Sequence, residues 1–357
     1  MKYLYYCNSA YQLLNILNLH RQRKDLGFES IDNYEADLII VNAFQAAKRI
    51  AEIIRQQHIF SKVMLLEKAE DVSGRLHTIK SFCNIAFPAY YLKSNFNLNK
   101  KDLKYDVLTV PKFSKVLGAI YQLNKNARLQ LFDEGIATYW FAYDLIVPRS
   151  KSYKMLYKPF NYGRDFLNFD VVYVTYPEFF TGDCPEKVKQ FPVFDKKYIE
   201  EIKELFKEFK GEKKEYDKKM LWFSQSMFDD EEVLKILREY RDDILFCPHP
   251  RYPTNDDAFD ISDPNQIWEI KSMNLPDINN KCLISIHSTA LISPKLLFDY
   301  EPYVIFTFKM INFDYYWDFD GTVMPFAKLY SDPKKVMFPE TLEELKECIE
   351  FVLKQTK

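Results

Sequence analysis

Apolar positions along the chain fall into short runs separated by stretches of helical period. Tyr3–Cys7 is an apolar run that stops at Asn8-Ser9-Ala10; Tyr11, Leu13, Leu14, Ile16, Leu17 and Leu19 then recur at helical spacing. Strand, polar turn and helix in that order open a βα unit. Further buried strands are predicted over Asp37–Asn42, Lys62–Leu66, Tyr105–Val110, Ala127–Phe132 and Val171–Thr175, with helices over Ala46–His58 and Val116–Asn124. Pro177, Gly182, Pro185 and Pro192 then punctuate the chain before a charged helix over Lys197–Lys210 and a solvated charge run over Gly211–Lys218. A second series follows, with strands over Lys219–Ser224, Ile244–Cys247, Cys282–Ile286 and Val304–Phe308 and a helix over Asp230–Tyr240. Thr341 is placed to cap a terminal amphipathic helix reaching Lys357, with Glu343 and Glu344 in its first turn. Strands alternating with helices predict parallel sheets. Two such series predict two Rossmann-like α/β domains, residues 1–190 and 191–357.

Composition narrows the function. The chain has 357 residues and a formal charge of −2, so it carries no basic excess of the kind a duplex nucleic acid would demand. It holds 30 Phe and 25 Tyr but only 8 Gly. There is no Gly-x-Gly-x-x-Gly and no Walker motif, which disfavours dinucleotide and P-loop enzymes. The six cysteines (Cys7, Cys83, Cys184, Cys247, Cys282, Cys348) form no Cys-x-x-Cys pair and read as small buried hydrophobes of a reducing compartment. The first residues are too short and too tyrosine-rich for a signal peptide. No window approaches the roughly 18 apolar residues of a membrane span. The expected location is the cytoplasm.

Ligands of open α/β sheets bind beyond the carboxyl ends of the strands. Five polar clusters follow predicted strands: Asn8–Gln12, Asp133–Gly135, Ser224–Ser226, His249–Arg251 and His287–Thr289. In Asp133-Glu134-Gly135 the neighbouring charge would raise the proton affinity of Asp133, which suits a general base; the same tripeptide also makes an ordinary turn. His249, bracketed by Pro248 and Pro250 and followed by Arg251, is held in place and suits a phosphate, or is a structural histidine. Ser288 and Thr289 start a helix, where hydroxyls both cap and bind anions. Asn8, Ser9 and Gln12 read first as a plain helix cap. Ser224, Gln225 and Ser226 have the alternative of capping a helix near Asp229, and Glu269 that of a solvated helix position. No metal cluster stands out, and Asp318-Phe-Asp320, the one Asp-x-Asp match considered, reads as a loop. The basic and aromatic residues of Arg149–Arg164 fit a solvated loop, or contact with an anionic bilayer or lipid-linked acceptor.

Taken in order, these clusters resemble the bacterial lipooligosaccharide and capsule sialyltransferases of glycosyltransferase family 52. Four segments carry the resemblance: Tyr-Cys-Asn-Ser-Ala-Tyr-Gln12, Leu-Phe-Asp133-Glu134-Gly135, Cys-Pro-His249-Pro250-Arg251 and Ile-His-Ser288-Thr289-Ala290. The resemblance implies a glycosyltransferase-B architecture, with an acceptor-side first domain and a donor-binding second. It implies a cytidine monophosphate (CMP)–sialic acid donor, a galactose-terminated glycan acceptor, inversion, and no metal or other cofactor. Homodimers are frequent in that family, and peripheral contact with the inner face of the cytoplasmic membrane would suit such an acceptor. Asp133 would be the base and His249 the partner of the leaving phosphate. Ser288, Thr289, Pro250 and Arg251 would flank that phosphate, Glu269 the ribose. Ser224, Gln225, Asn8, Ser9 and Gln12 would complete the donor site, with Glu134 and Gly135 on the acceptor side. Glu134 replaces the second aspartate of the family motif and Thr289 a serine of related families, which leaves donor and acceptor choice open. Two other functions fit the same residues: transfer from another nucleotide sugar, or glycan or nucleotide binding without catalysis.

Overall fold

The computed structural model describes residues 1–25, 33–67, 86–111, 114–139, 169–182, 184–211, 217–225, 230–249, 256–263, 266–311, 321 and 323–356. The chain divides into two units, Met1–Ala43 with Ala47–Phe191, and Pro192–Lys357 with Phe44–Ala46.

The first unit runs β1 (Lys2–Cys7), α1 (Ala10–Asp25), β2 (Glu35–Asn42), α2 (Ala47–Gln56), β3 (Lys62–Glu67), α3 (Pro88–Phe96), β4 (Val107–Val110), α4 (Lys115–Leu123), β5 (Arg128–Phe132), α5 (Ile136–Tyr139), β6 (Val171–Val174) and β7 (Val188–Gln190). Its sheet is parallel throughout, in the order β3-β2-β1-β4-β5-β6-β7. Val107–Val110 and Val171–Val174 are buried at every position, as continuous apolar runs must be when helices cover both faces of a sheet.

Helix α1 departs from a simple amphipathic helix. It is buried nearly all round, and Gln12, Asn15, Asn18, His20, Gln22 and Arg23 are buried with it. Buried polar groups persist only when paired. Arg23 donates to the Tyr5 hydroxyl (2.8 Å) and to Gln130 Oε1 (2.6 Å), and its guanidinium lies 4.9 Å from the Tyr3 ring centre. His20 is held between the Tyr34 hydroxyl (2.8 Å) and the Ile59 carbonyl (2.9 Å); burial pushes its pKa down to about 4.

The second unit contains α6 (Lys196–Leu205), β8 (Met220–Phe223), α7 (Glu231–Glu239), β9 (Ile244–Cys247), β10 (Asp260–Ile261), α8 (Trp268–Asn274), β11 (Cys282–Ser285), α9 (Thr289–Phe298), β12 (Tyr303–Phe306), β13 (Val336–Met337) and α10 (Leu342–Gln355). Its strands are again all parallel, in the order β10-β9-β8-β11-β12-β13. Both sheets reverse direction of build once, between β1 and β4 and between β8 and β11. Such switch points leave a crevice at the carboxyl edge where ligands bind.

The pattern-based expectations meet the structure closely for central strands and less well elsewhere. The helix expected over Lys197–Lys210 stops at Leu205 and continues as a 3-10 turn over Lys207–Phe209. Helix α3 and the short edge strands β7, β10 and β13 were not expected. Thr341 does cap α10, accepting from the Glu344 N–H at 3.1 Å. Cys7, Cys184, Cys247 and Cys282 are buried free thiols; Cys83 lies outside the described residues.

Candidate functional site

In the first unit, polar residues gather beyond β1 and β5. The Asp133 side chain accepts from the Gly135 N–H through Oδ1 at 2.7 Å, closing a tight turn that Gly135 completes at φ 110, a region only glycine enters freely. Thr138 Oγ1 accepts from the Glu134 N–H at 2.8 Å. Helix α1 ties in from a distant part of the sequence: Asn15 Nδ2 donates to the Asp133 carbonyl (3.1 Å) and Gln12 Nε2 to Glu134 Oε2 (3.3 Å). Gln12 also turns back on its own helix, its Oε1 accepting from the Asn8 N–H at 2.8 Å and its N–H donating to Ser9 Oγ at 3.3 Å. Ser9 therefore caps α1, and Gln12 ties the start of the helix to the acidic turn.

The two carboxylates of that turn differ. Asp133 is fully buried (0% exposed), whereas Glu134 is half-buried. Burial lifts the Asp133 pKa to about 7; the Tyr139 hydroxyl, the Gly135 N–H and the Tyr11 hydroxyl oppose the rise, and the Glu134 charge adds least. This corrects the cause read from the sequence: desolvation, not the neighbouring charge, governs Asp133. Among the described residues, Asn8 Oδ1, the Tyr11 hydroxyl and Asp133 Oδ2 are buried without a hydrogen bond of normal geometry. The Tyr11 hydroxyl and Asp133 nonetheless lie close enough to act on each other. Tyr11, Asn15, Thr138 and Tyr139 escaped sequence reasoning, because nothing local says that their side chains converge on Asp133.

In the second unit, the residues singled out beyond β8, β9 and β11 stand on neighbouring strands at the switch point. Ser224 does not cap α7, whose flanking Asp230 makes no side-chain cap; its hydroxyl instead accepts from the His249 N–H at 3.1 Å, joining the ends of β8 and β9. Gln225 joins β8 to β11: its Oε1 accepts from the His287 N–H at 2.9 Å, and its Nε2 donates back to the His287 carbonyl. Ser288 then caps α9, accepting from the Ala290 N–H at 3.2 Å, so that Thr289 opens the helix. The Trp268 indole donates to the Ala290 carbonyl (2.8 Å) and to Ser293 Oγ (3.1 Å), which fastens α8 against the first turn of α9.

Glu269 follows Trp268 and is half-buried; burial raises its pKa to about 7. Burial pushes His287 down to about 4, which leaves a neutral ring beside the α9 N-terminus near neutral pH. Hydroxyls, backbone N–H groups and a helix dipole would therefore meet an anion there. Pro250, Arg251, Ser226, Asp229, Asp318, Asp320 and the Arg149–Arg164 stretch lie outside the described residues. Among the described residues, no three His, Cys, Asp or Glu side chains cluster as metal ligands, and no helix is long and apolar enough to cross a membrane.

A family model described as alpha-2,8-polysialyltransferase (POLYST) matches residues 3–302. No curated protein matches the sequence. Among solved structures, the chain resembles the Methanocaldococcus jannaschii UDP-GlcNAc 2-epimerase in complex with UDP-GlcNAc and UDP, at 13% identity over 99% of this chain and 93% of that one, with a TM-score of 0.51. It also resembles Arabidopsis thaliana UGT89C1 complexed with UDP, at 7% identity over 100% of this chain and 90% of that one, TM-score 0.51. For the UDP-GlcNAc 2-epimerase from Neisseria meningitidis the identity is 11%, covering 98% of this chain and 92% of that one, TM-score 0.50. These likenesses establish the fold: two Rossmann-like domains of glycosyltransferase-B type.

Proposed function

Because the chain belongs to the alpha-2,8-polysialyltransferase family, and so among the glycosyltransferases, we propose that it moves sialic acid from CMP–sialic acid to a glycan. The family description points to an acceptor ending in sialic acid; the galactose-terminated glycan implied by the family 52 resemblance is the second acceptor to test.

One structural observation carries the donor reading: Ser224, Gln225, His249, Ser288 and Thr289 flank the switch point of the second sheet on three adjacent strands. A single phosphate suits this edge, where the α9 N-terminus and two hydroxyls supply neutral donors. In the proposed step, the acceptor oxygen attacks the anomeric carbon and the bond from that carbon to the CMP phosphate breaks, with inversion. Asp133 takes the acceptor proton and His249 hydrogen-bonds the departing phosphate. A carboxyl with a pKa near 7 suits a base working near neutrality. Asp133 is fully buried in the structure, so the proposed step requires its Oδ2 to become accessible to the acceptor. No metal takes part in the proposed reaction.

The half-burial of Glu134 favours a second reading, in which Glu134 meets the acceptor and Asp133 only positions the turn. The donor class is tested by incubating the protein with CMP–sialic acid, and separately with uridine diphosphate sugars, in the presence of a chelator. Nucleotide release from CMP–sialic acid alone is the expected result. Release from a uridine diphosphate sugar alone would refute the sialyl reading, and no release from any donor, with or without an acceptor, would favour a binding protein.

A further inference from the structure

Helix α3 presents aromatic rings where a packed protein normally hides them. Phe87 is 65% and Tyr90 75% exposed, whereas the other large apolar residues exposed among the described ones, Met1, Ile261, Phe351, reach at most 44% and stand apart. The helix that carries the pair is firmly built. Pro88 starts it, and Asn97 closes it in the left-handed region at φ 53, where the Asn97 N–H donates to the Lys93 carbonyl and the Leu98 N–H to the Leu92 carbonyl. Tyr91 and Leu92 fix the inward face, and α3 packs against α4. The exposed rings are thus held out by a rigid element rather than left over from a loose one.

The segment is also basic. Tyr90 and Lys93 are neighbours one turn apart on the outward face, and Lys93 donates to Asn97 Oδ1 at 2.6 Å. The 3-10 turn Lys100–Asp102 packs on α3, and Lys100, Lys101 and Lys104 are all exposed. Residues 86–106 contain four lysines and two aspartates, in a chain whose net charge is negative. The aspartates are Asp102 and Asp106, and Asp106 Oδ2 is occupied by the Lys2 N–H at 2.7 Å.

We propose that α3 and the turn after it form a docking surface for an anionic lipid bilayer, with the Phe87 and Tyr90 rings seated at head-group level and Lys93, Lys100, Lys101 and Lys104 facing lipid phosphates. Aromatic rings favour that interface, and lysines reach to it from the flank. Two rings among polar neighbours make too small an apolar patch for a stable protein interface, which buries about 800 Å² per partner. This inference does not depend on the transferase reading.

The test is sedimentation of the full chain with vesicles of phosphatidylcholine alone or mixed with phosphatidylglycerol. Binding is expected only to the mixed vesicles, falling as salt is raised. Phe87→Ala with Tyr90→Ala, and separately Lys100→Glu with Lys101→Glu and Lys104→Glu, should each weaken it by about tenfold or more. Lys62→Glu with Lys125→Glu and Lys334→Glu, the same charge change at exposed sites elsewhere, should leave most binding intact. All these positions are exposed, so thermal melts should match the wild type. No binding to anionic vesicles, equal loss in the control variant, or unchanged binding in either α3 variant would overturn the proposal. So would an α3-dependent dimer by light scattering without vesicle binding, which would make the surface a contact between copies.

Discussion

The Gln225 side chain closes a reciprocal pair of hydrogen bonds on the backbone of His287, 62 residues away. The pair bridges β8 and β11 at the switch point of the second sheet, immediately before Ser288 and the N-terminus of α9. Gln225 is expected to line the donor site; both ends of its amide are engaged by the His287 backbone, so in the proposed site it also positions the loop before Ser288.

Removing that bridge separates positioning from folding. Gln225→Ala removes both of these hydrogen bonds from the His287 backbone, a loss of about 1–3 kcal/mol. We expect a lower melting temperature together with a raised KM for CMP–sialic acid and a kcat that changes less. Gln225→Glu keeps the acceptor for the His287 N–H but loses the donor, so it should fall between. A variant with wild-type KM would show that the bridge does not shape the donor loop.

Asp133 and Glu134 make distinct kinetic predictions. If Asp133 is the base, Asp133→Asn lowers kcat by roughly 10²–10⁴ while Glu134→Gln changes it far less. The reverse order would assign the base to Glu134. His249→Ala should also lower kcat, by loss of a partner for the leaving phosphate, with a melt close to wild type. Near-normal turnover in a folded His249→Ala would remove it from the reaction.

The burial of Asp133 also has a pH signature. Its pKa is raised to about 7 in the folded chain, so between about pH 4 and 7 the folded state holds a proton that the unfolded chain has released. Stability from this group is therefore present at low pH and falls as pH rises through that window. Asp133→Asn removes the penalty, since the amide oxygen can still accept from Gly135. Its stability relative to wild type should rise from pH 4 to pH 8 by an amount on the order of a few kcal/mol, read as a growing difference in melting temperature. A pH-independent difference would mean that the carboxyl is not desolvated.

His20 and His287 act in the opposite sense. Both are held down to about 4 by burial, so each contributes stability that is present above its ordinary pKa and lost as pH falls toward 4. Of the two, His20 lies wholly within the first unit's core network. His20→Gln should flatten the acid limb of the stability curve, measured by melts between pH 4 and 7, at some cost in stability at pH 7. An unchanged acid limb would mean that His20 is not held neutral.

What the amino-acid sequence determined by itself was the set of local units. Apolar runs such as Ile244–Cys247 and Cys282–Ser285 were legible as strands because a residue buried on both faces of a parallel sheet must be apolar at every position. The polar residues after them were legible as site candidates because strand ends are where such sheets open. Two-residue strands such as Asp260–Ile261 were not legible, since an edge that short carries no period. Helix α1 itself was legible, but the burial of its polar side chains was not: Arg23 meets partners on β1, β4 and β5, which no periodicity announces. The tertiary structure alone decided which candidates meet. Gln12 reaches Glu134 across 122 residues, and Gln225 reaches His287 across 62. It alone decided that Asp133 is sealed, since a carboxyl's pKa depends on the water removed around it, and that removal is the work of Tyr11, Tyr139 and the packed sheet rather than of the charge next door.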